Sequence, residues 1–123
     1  MDEAHRHGLK VILIYLGGIA DRLEQIASLG AEGLLCECRM KGYVNDVAEI
    51  ARRIGDRITV FGNLDPVSVL QDGTDANLEA EIKRQVEAGG RARGFILSTS
   101  SPITPATPLA RVQRFLELGR RAG

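Results

Sequence analysis

Gly62-Asn63-Leu64-Asp65-Pro66 follows directly on the hydrophobic run Ile58 to Phe61 and leads into Val67-Ser68-Val69-Leu70. The run reads as a strand, Gly62 marks its exit, and Asp-Pro is what a helix start selects: a capping carboxylate, then a proline at the first helical position. A strand handing over to a helix through a short glycine turn is one βα unit.

Three more apolar runs, Lys10 to Leu16, Gly33 to Cys38 and Gly94 to Ser98, each precede a helix-like pattern. After the first, Ile19, Leu23, Ile26 and Leu29 recur at helical spacing. After the second come Val47, Ile50 and Ile54, with Gly55 placed to stop the helix. The third helix has Thr74 as N-cap, Leu78, Ile82 and Val86 every four residues, and Gly89-Gly90 at its end. The fourth opens at Thr107-Pro108 and is expected to bury Leu109, Val112, Phe115 and Leu116. The order βαβαβαβα, with near-continuous apolar strands, predicts a parallel sheet covered on both faces. Periodicity alone leaves open a small doubly wound sheet or half of a (β/α)8 barrel.

The chain has 123 residues, 44% of them hydrophobic and 26% charged, which sets the expectation of one domain over 1–123. Sixteen basic residues balance sixteen acidic ones, so no net field draws the chain to nucleic acid or an anionic membrane. No apolar run approaches the roughly 20 residues of a membrane helix, and Met1-Asp2-Glu3-Ala4-His5-Arg6-His7-Gly8 is too polar for a signal peptide. A cytoplasmic protein is the expectation. Met1 to Gly8 also reads as the tail of a helix, which hints at a missing upstream part. Cys36 and Cys38, two residues apart on a strand, point the same way and read as reduced thiols.

In combination, four stretches carry a family resemblance: LKVILIYLGG, IASLGAEGLL, RRIGDRITVFGNLDPVSVL and EAGGRARGFILSTSSPITPATPLARV. Together they resemble the C-terminal half of the barrel of the uroporphyrinogen decarboxylase superfamily, which also includes corrinoid and coenzyme-M methyltransferases. The fold this implies is α/β, four βα units with parallel strands, as in the C-terminal half of a TIM (β/α)8 barrel. In such barrels chemistry occurs at the C-terminal strand ends. Here that ring is Ile14 and Leu16, Glu37, Asn63 and Asp65, and Ser98 to Ser101.

The resemblance implies porphyrinogen decarboxylation, with methyl transfer as the alternative and a small-molecule substrate, a tetrapyrrole or a methyl donor, as partner. It implies no prosthetic group in the decarboxylase branch, where a pyrrole is protonated and carbon dioxide leaves. Methyltransferase members hold zinc with a His-x-Cys pair and a later cysteine, positions that are Ile14, Leu16 and Ser101 in this chain. Two aliphatic side chains and a hydroxyl cannot replace nitrogen and thiolate ligands, so no metal site is expected. Decarboxylase members place a histidine where Ser101 stands, and use arginines and an aspartate from an N-terminal half that this sequence does not contain. The segment CECRMKGYVND is longer than decarboxylase members usually have there and leans towards the methyltransferase-like branch.

The candidate catalytic residues are Asp65 and Glu37, and the candidate substrate contacts are Gly62, Asn63, Ser98 and Ser101. Each has a structural alternative. Asp65 suits a helix cap, and Asn63 suits a loop-holding role. Glu37, set opposite Cys36 and Cys38 by strand alternation, needs a polar destination, either the barrel mouth or an ion pair with Arg39 or Lys41. Cys-Glu-Cys lacks zinc-knuckle spacing, and His5 and His7 precede the first strand, on the order of 15 Å from Cys38 at about 3.3 Å per residue. Gly17-Gly18 lacks a phosphate-loop pattern and reads as a tight βα turn. Ser98 to Ser101 lack a nucleophile elbow. A rival to the enzyme reading is an inactive half-barrel that acts as a pairing module. Four strands leave two exposed parallel edges, and a homodimer or a missing N-terminal half could occupy them.

Overall fold

Parallel strands β1 (Ile12–Tyr15), β2 (Gly33–Cys36), β5 (Thr59–Phe61) and β6 (Phe95–Ile96) form one sheet in the order β1-β2-β5-β6. The computed structural model describes residues 1–40 and 42–123. Spatial order therefore follows chain order. A doubly wound sheet would reverse its strand order at a switch point, so the sequential order selects the half-barrel. A parallel bridge between Leu64 and Thr99 carries the β5–β6 pairing past the formal strand ends.

The intervening helices are α2 (Leu23–Ser28), α3 (Val47–Ile54), α4 (Asp75–Gly89) and α5 (Leu109–Ala122), packed in that order against one another. A short α1 (Asp2–Arg6) precedes β1. It is tied below the sheet by Glu32, whose carboxylate accepts from His5 Nε2 at 3.3 Å and from Val11 N–H at 2.7 Å. Helices α3 and α4 are both capped, α4 by the predicted Thr74 and α3 by Asp46, which the sequence reading did not single out. The Asp46 side chain accepts from Ala48 N–H at 3.1 Å to start α3, and Thr74 Oγ1 accepts from Asn77 N–H at 3.1 Å to start α4.

The core lies between sheet and helices in two adjoining parts. Leu34, Cys36, Ile58 and Val60 meet Ile19, Leu23, Ile26, Val47, Ile50 and Ile54 in one. Leu64, Leu70, Leu78, Ile82, Phe115 and Leu118 form the other. Gly89 admits the Phe95 ring against the first of these parts, since a Cβ there would lie 2.2 Å from ring carbons.

Four sequence expectations are corrected. The sheet is covered on one face, not two: Ile12, Ile14 and Ile96 are 51%, 64% and 47% exposed on the side away from the helices. Leu29, Leu109 and Leu116, read as helix-core positions, are also exposed, because a periodic pattern shows an apolar side without showing what covers it. Leu118 fills the core position instead. Helix α5 starts one residue late, with Pro108 at the cap, and Thr107 bonds to Thr104 rather than to the helix. The segment after β2 makes an unpredicted antiparallel hairpin, β3 (Arg39–Met40) and β4 (Tyr43–Val44).

Candidate functional site

The C-terminal strand ends are held together by a buried amide network. Gly62 has no side chain because α4 passes close: a Cβ there would lie 2.6 Å from Gln85 Oε1. That oxygen accepts from Asn63 N–H at 3.2 Å, and Gln85 Nε2 donates to Glu81 at 2.8 Å. Asn63, only 3% exposed, donates from Nδ2 to the Asn45 carbonyl at 2.7 Å and the Glu37 carbonyl at 3.3 Å. Asn45 in turn donates to the carbonyls of Gly17 and Glu37 at 2.9 and 2.8 Å and accepts from Ile19 N–H at 3.0 Å. Two asparagines thus fix the loops after β1, β2 and β5 to one another. Buried amides of this kind must be satisfied, so the network also fixes which backbone groups point inward.

Glu37 reaches across to the first loop. Its carboxylate accepts from Gly17 N–H at 2.8 Å and from the Tyr43 hydroxyl. The acceptor beside it raises the Tyr43 phenol to about 12. Gly17 adopts φ +121°, a conformation closed to most side chains, and its amide reaches Glu37 from there. Two amides that a phosphate loop would present, those of Gly17 and Ile19, are already taken by Glu37 and Asn45. Of the ion-pair partners foreseen for Glu37, Arg39 turns to Asp65 instead, and Lys41 lies outside the described residues.

Asp65 uses one oxygen structurally. Oδ1 accepts from Val67 and Ser68 N–H, both at 2.9 Å, capping a π-helical turn over Pro66–Gln71. Oδ2 faces Arg39 Nε at 3.8 Å, too far for a hydrogen bond. Partial burial pushes the Asp65 carboxyl up, but the bonds from Ser68 and Val67 and the Arg39 charge outweigh it and hold it below its ordinary value. The group is ionised at neutral pH.

Asp65 and Asn63 line a cavity of about 360 Å³ between the β3–β4 hairpin, the π-helical turn and α4. Arg39, Arg84, Asp46 and Glu81 supply its charges. Arg84 is engaged by Asp46 at 3.0 Å and Glu81 at 2.7 Å. Gly62 does not line this cavity, nor do Ser98 and Ser101, which sit on the last loop. Ser98 Oγ donates to the Thr99 carbonyl at 3.0 Å, and exposed Ser101 accepts at its carbonyl from Thr99 Oγ1 at 2.9 Å.

Cys36 lies in the helix-side core, where burial pushes its thiol up to about 12. Cys38 is half-buried and accepts from Ser100 Oγ at 3.4 Å. Among the described residues no three His, Cys, Asp or Glu side chains gather as a metal site, and Ile14, Leu16 and Ser101 offer no zinc ligands. None of the described helices is long and apolar enough to cross a membrane.

Sequence reasoning passed over Gln85, Asn45, Tyr43 and Arg84, and named Arg39 only as a partner for Glu37. Gln85 was detectable, because it stands seven residues after Leu78 on the stripe Leu78-Ile82-Gln85-Gly89, a polar group on a buried face. The hairpin residues carried no comparable signal.

Sequential parallel strands with helices on one side, and polar loops knotted at the C-terminal strand ends, define half of a (β/α)8 barrel with half of its mouth. A family model described as Uroporphyrinogen decarboxylase (URO-D) matches residues 1–122, and the chain belongs to that family. It is 30% identical over 106 residues to the uroporphyrinogen decarboxylase of Pseudomonas paraeruginosa, covering 86% of this chain and 28% of that protein. To the Coxiella burnetii enzyme of the same name it is 29% identical over 116 residues, covering 91% and 29%. In fold it is similar to a methyltransferase from Methanosarcina mazei, with a TM-score of 0.79 at 24% identity, over 98% of this chain and 33% of that one. The chain spans less than a third of the length of the curated relatives it matches.

Proposed function

We propose that this chain supplies the C-terminal strand-end half of a uroporphyrinogen-decarboxylase-like site, acting on a porphyrinogen within tetrapyrrole synthesis. The observation that carries this reading is the half-engaged carboxylate of Asp65. One oxygen is fixed by two backbone amides, and the other faces the cavity beside a guanidinium that it does not bond.

A carboxylate held ionised in this way accepts hydrogen bonds and does not donate a proton. It suits the N–H of a pyrrole ring, and Arg39 suits a substrate carboxylate. Glu37 acts as an acceptor too, setting the Gly17 loop and Tyr43 around the mouth. Gly62 and Asn63 hold the strand exit, and Ser98 and Ser101 offer hydroxyls from the last loop. In decarboxylation a ring carbon gains a proton and the bond to the carboxylate breaks. Its electron pair returns to the ring as carbon dioxide leaves, the side-chain carbon takes up a proton, and the ring carbon gives up the proton it gained, which restores the pyrrole. The residues named here bind and orient the ring for that sequence.

The test is conversion of uroporphyrinogen to products with fewer carboxylates. It is followed for the chain alone and for the chain mixed with the N-terminal segment of a related decarboxylase. Turnover that falls about 100-fold in Asp65→Asn supports the reading. No porphyrinogen consumed by either preparation, or equal rates in Asp65→Asn, Glu37→Gln and the parent, sinks it.

One observation favours methyl transfer: the β3–β4 hairpin, an extension beside the cavity. Because Ile14, Leu16 and Ser101 do not fit a thiolate-activating zinc, such a reaction would need a different way to activate the acceptor thiol. Methylation of a thiol by the chain and a corrinoid methyl donor would select this reading over decarboxylation.

A further inference from the structure

The π-helical turn after Asp65 is gripped from behind. Asp65, Ser68 and Val69 line the cavity, to which α5 supplies no residue. Yet Arg111, in the first turn of α5, reaches the same turn from its other side. Its guanidinium donates from Nε to the Leu70 carbonyl at 2.8 Å and from Nη2 to the Val69 carbonyl at 3.1 Å, and Nη1 bonds the Asp75 carboxylate at the start of α4. The side chain is only 15% exposed. One planar group thus ties the turn to two helices. The loop before α5 adds a further tie, from Thr104 Oγ1 to Gln71 Oε1.

A turn of this kind needs such support. Its bonds run from Leu70 N–H to the Asp65 carbonyl at 3.1 Å and from Asp72 N–H to the Val67 carbonyl at 2.9 Å, each spanning five residues. That is one residue more than an α-helical bond spans, in a form that is rare, short and concentrated at functional sites. The last carbonyls of a helix have no partner within it, and a guanidinium presents two donors in one plane to meet two of them. Gly73 serves the same carbonyl. A Cβ there would lie 2.4 Å from the Val69 oxygen and 3.1 Å from the Ser68 oxygen, both backbone atoms that cannot swing aside. Two positions far apart in sequence therefore converge on one oxygen, Gly73 by leaving it room and Arg111 by bonding it.

We propose that Arg111 is a positioning residue for the Asp65 site: it holds the turn in its π-helical register and so fixes how Asp65, Ser68 and Val69 face the cavity, without itself touching substrate. Relaxation to α-helical spacing would drop one residue from the turn and rotate its two ends by roughly 100° relative to each other. The amides of Val67 and Ser68 would then lose their alignment on Asp65 Oδ1, and the free Oδ2 its aim. This deepens the function proposed above and rests on it for the substrate alone, since the clamp itself is made within this chain. A charge acting at a distance would be served as well by lysine. Two carbonyls met in one plane are not, because an ammonium is a point donor without the fork.

The experiment is titration of the Asp65 carboxyl, followed by NMR of its side-chain carbon, in the parent chain, Arg111→Met, Arg111→Lys and Gly73→Ala, with Arg114→Met as control. Arg39 is the charge that faces Asp65, and none of these substitutions alters it. In the parent, the bonds from Ser68 and Val67 hold the carboxyl below 3.8. The expected result is a midpoint that rises toward 3.8 in Arg111→Met and Gly73→Ala, and nearly as far in Arg111→Lys. Arg114 shares Asp75 with Arg111, at 3.2 Å, but bonds neither carbonyl, so Arg114→Met leaves the midpoint in place. Where uroporphyrinogen is converted, kcat/KM falls on the order of 10-fold or more in Arg111→Lys, as a displaced wall requires. Should Arg111→Met fail to fold, Arg111→Lys and Gly73→Ala carry the same reading. An Arg111→Lys midpoint equal to the parent's overturns the proposal. So does an unmoved midpoint in Gly73→Ala, or an equal rise in Arg114→Met. Midpoints that move as expected with no turnover in any preparation keep the clamp and remove the porphyrinogen reading, and turnover with unmoved midpoints does the reverse.

Discussion

The two faces of the sheet are built from the same residue types and have opposite fates. On β1, Leu13 packs under the helices while its neighbours Ile12 and Ile14 stand exposed, and on β6 Phe95 enters the core while Ile96 does not. Composition cannot tell these positions apart. What separates them is whether this chain supplies a layer above them, and it supplies one layer of helices only. Apolar patterning therefore specifies what calls for cover and does not say what provides it.

The largest effect that separates the faces is expected from Leu34→Ala. This removes a fully buried side chain under the helices and costs about 3 kcal/mol in urea unfolding. Ile14→Ser, on the exposed face, changes stability by less than about 0.5 kcal/mol. Equal losses for the two would erase the distinction between faces.

Next comes Gln85→Leu. It keeps the volume but strips the acceptor from the buried Asn63 N–H and is expected to cost about 2 kcal/mol. Hydrogen exchange at Asn63 should quicken with it. A neutral result would mean that the strand exits are held by packing alone.

Asp65→Asn is smaller, about 0.5 kcal/mol at neutral pH, because an asparagine can still cap the turn and only the charge at its N-terminus and beside Arg39 is lost. Its pH dependence is more telling. The folded Asp65 carboxyl lies below its ordinary value of 3.8, so its stabilisation is fully present above that pH and lost as pH falls through the lower folded value. The stability gap between parent and Asp65→Asn should therefore hold from pH 7 to about 5 and narrow below about 4. A gap that stays constant down to pH 2 would contradict the depressed carboxyl.

The smallest perturbation needs no mutation. Cys36, with its thiol pushed up to about 12 in the core, should resist iodoacetamide at pH 8 in the folded chain, while half-buried Cys38 is modified first. Mass mapping of a partial reaction reads the order directly, and equal labelling would place Cys36 outside the core.

Much of this was legible before the structure. Strand positions, the caps at Asp65 and Thr74 and the βα alternation follow from local chemistry, and local chemistry is what a short window of sequence records. Leu29, Leu109 and Leu116 were misread because burial depends on a neighbouring layer that periodicity cannot see. The candidate site was legible at Asp65 and Glu37 as residue types. Their partners were not, because Arg39, Tyr43 and Asn45 reach them by way of a hairpin whose path no pattern announces.

The π-helical turn carries a consequence for the nascent chain. Its late carbonyls, those of Val69 and Leu70, are bound by the Arg111 guanidinium from α5 at 3.1 and 2.8 Å, across more than forty residues of sequence. The ribosome makes the turn some forty residues before it makes its clamp, and α5 must leave the exit tunnel before it can dock. Until then the Asp65 loop lacks the support of its final neighbour. A chain cut just before Arg111 keeps every cavity-lining side chain and still leaves the Asp65 loop unclamped.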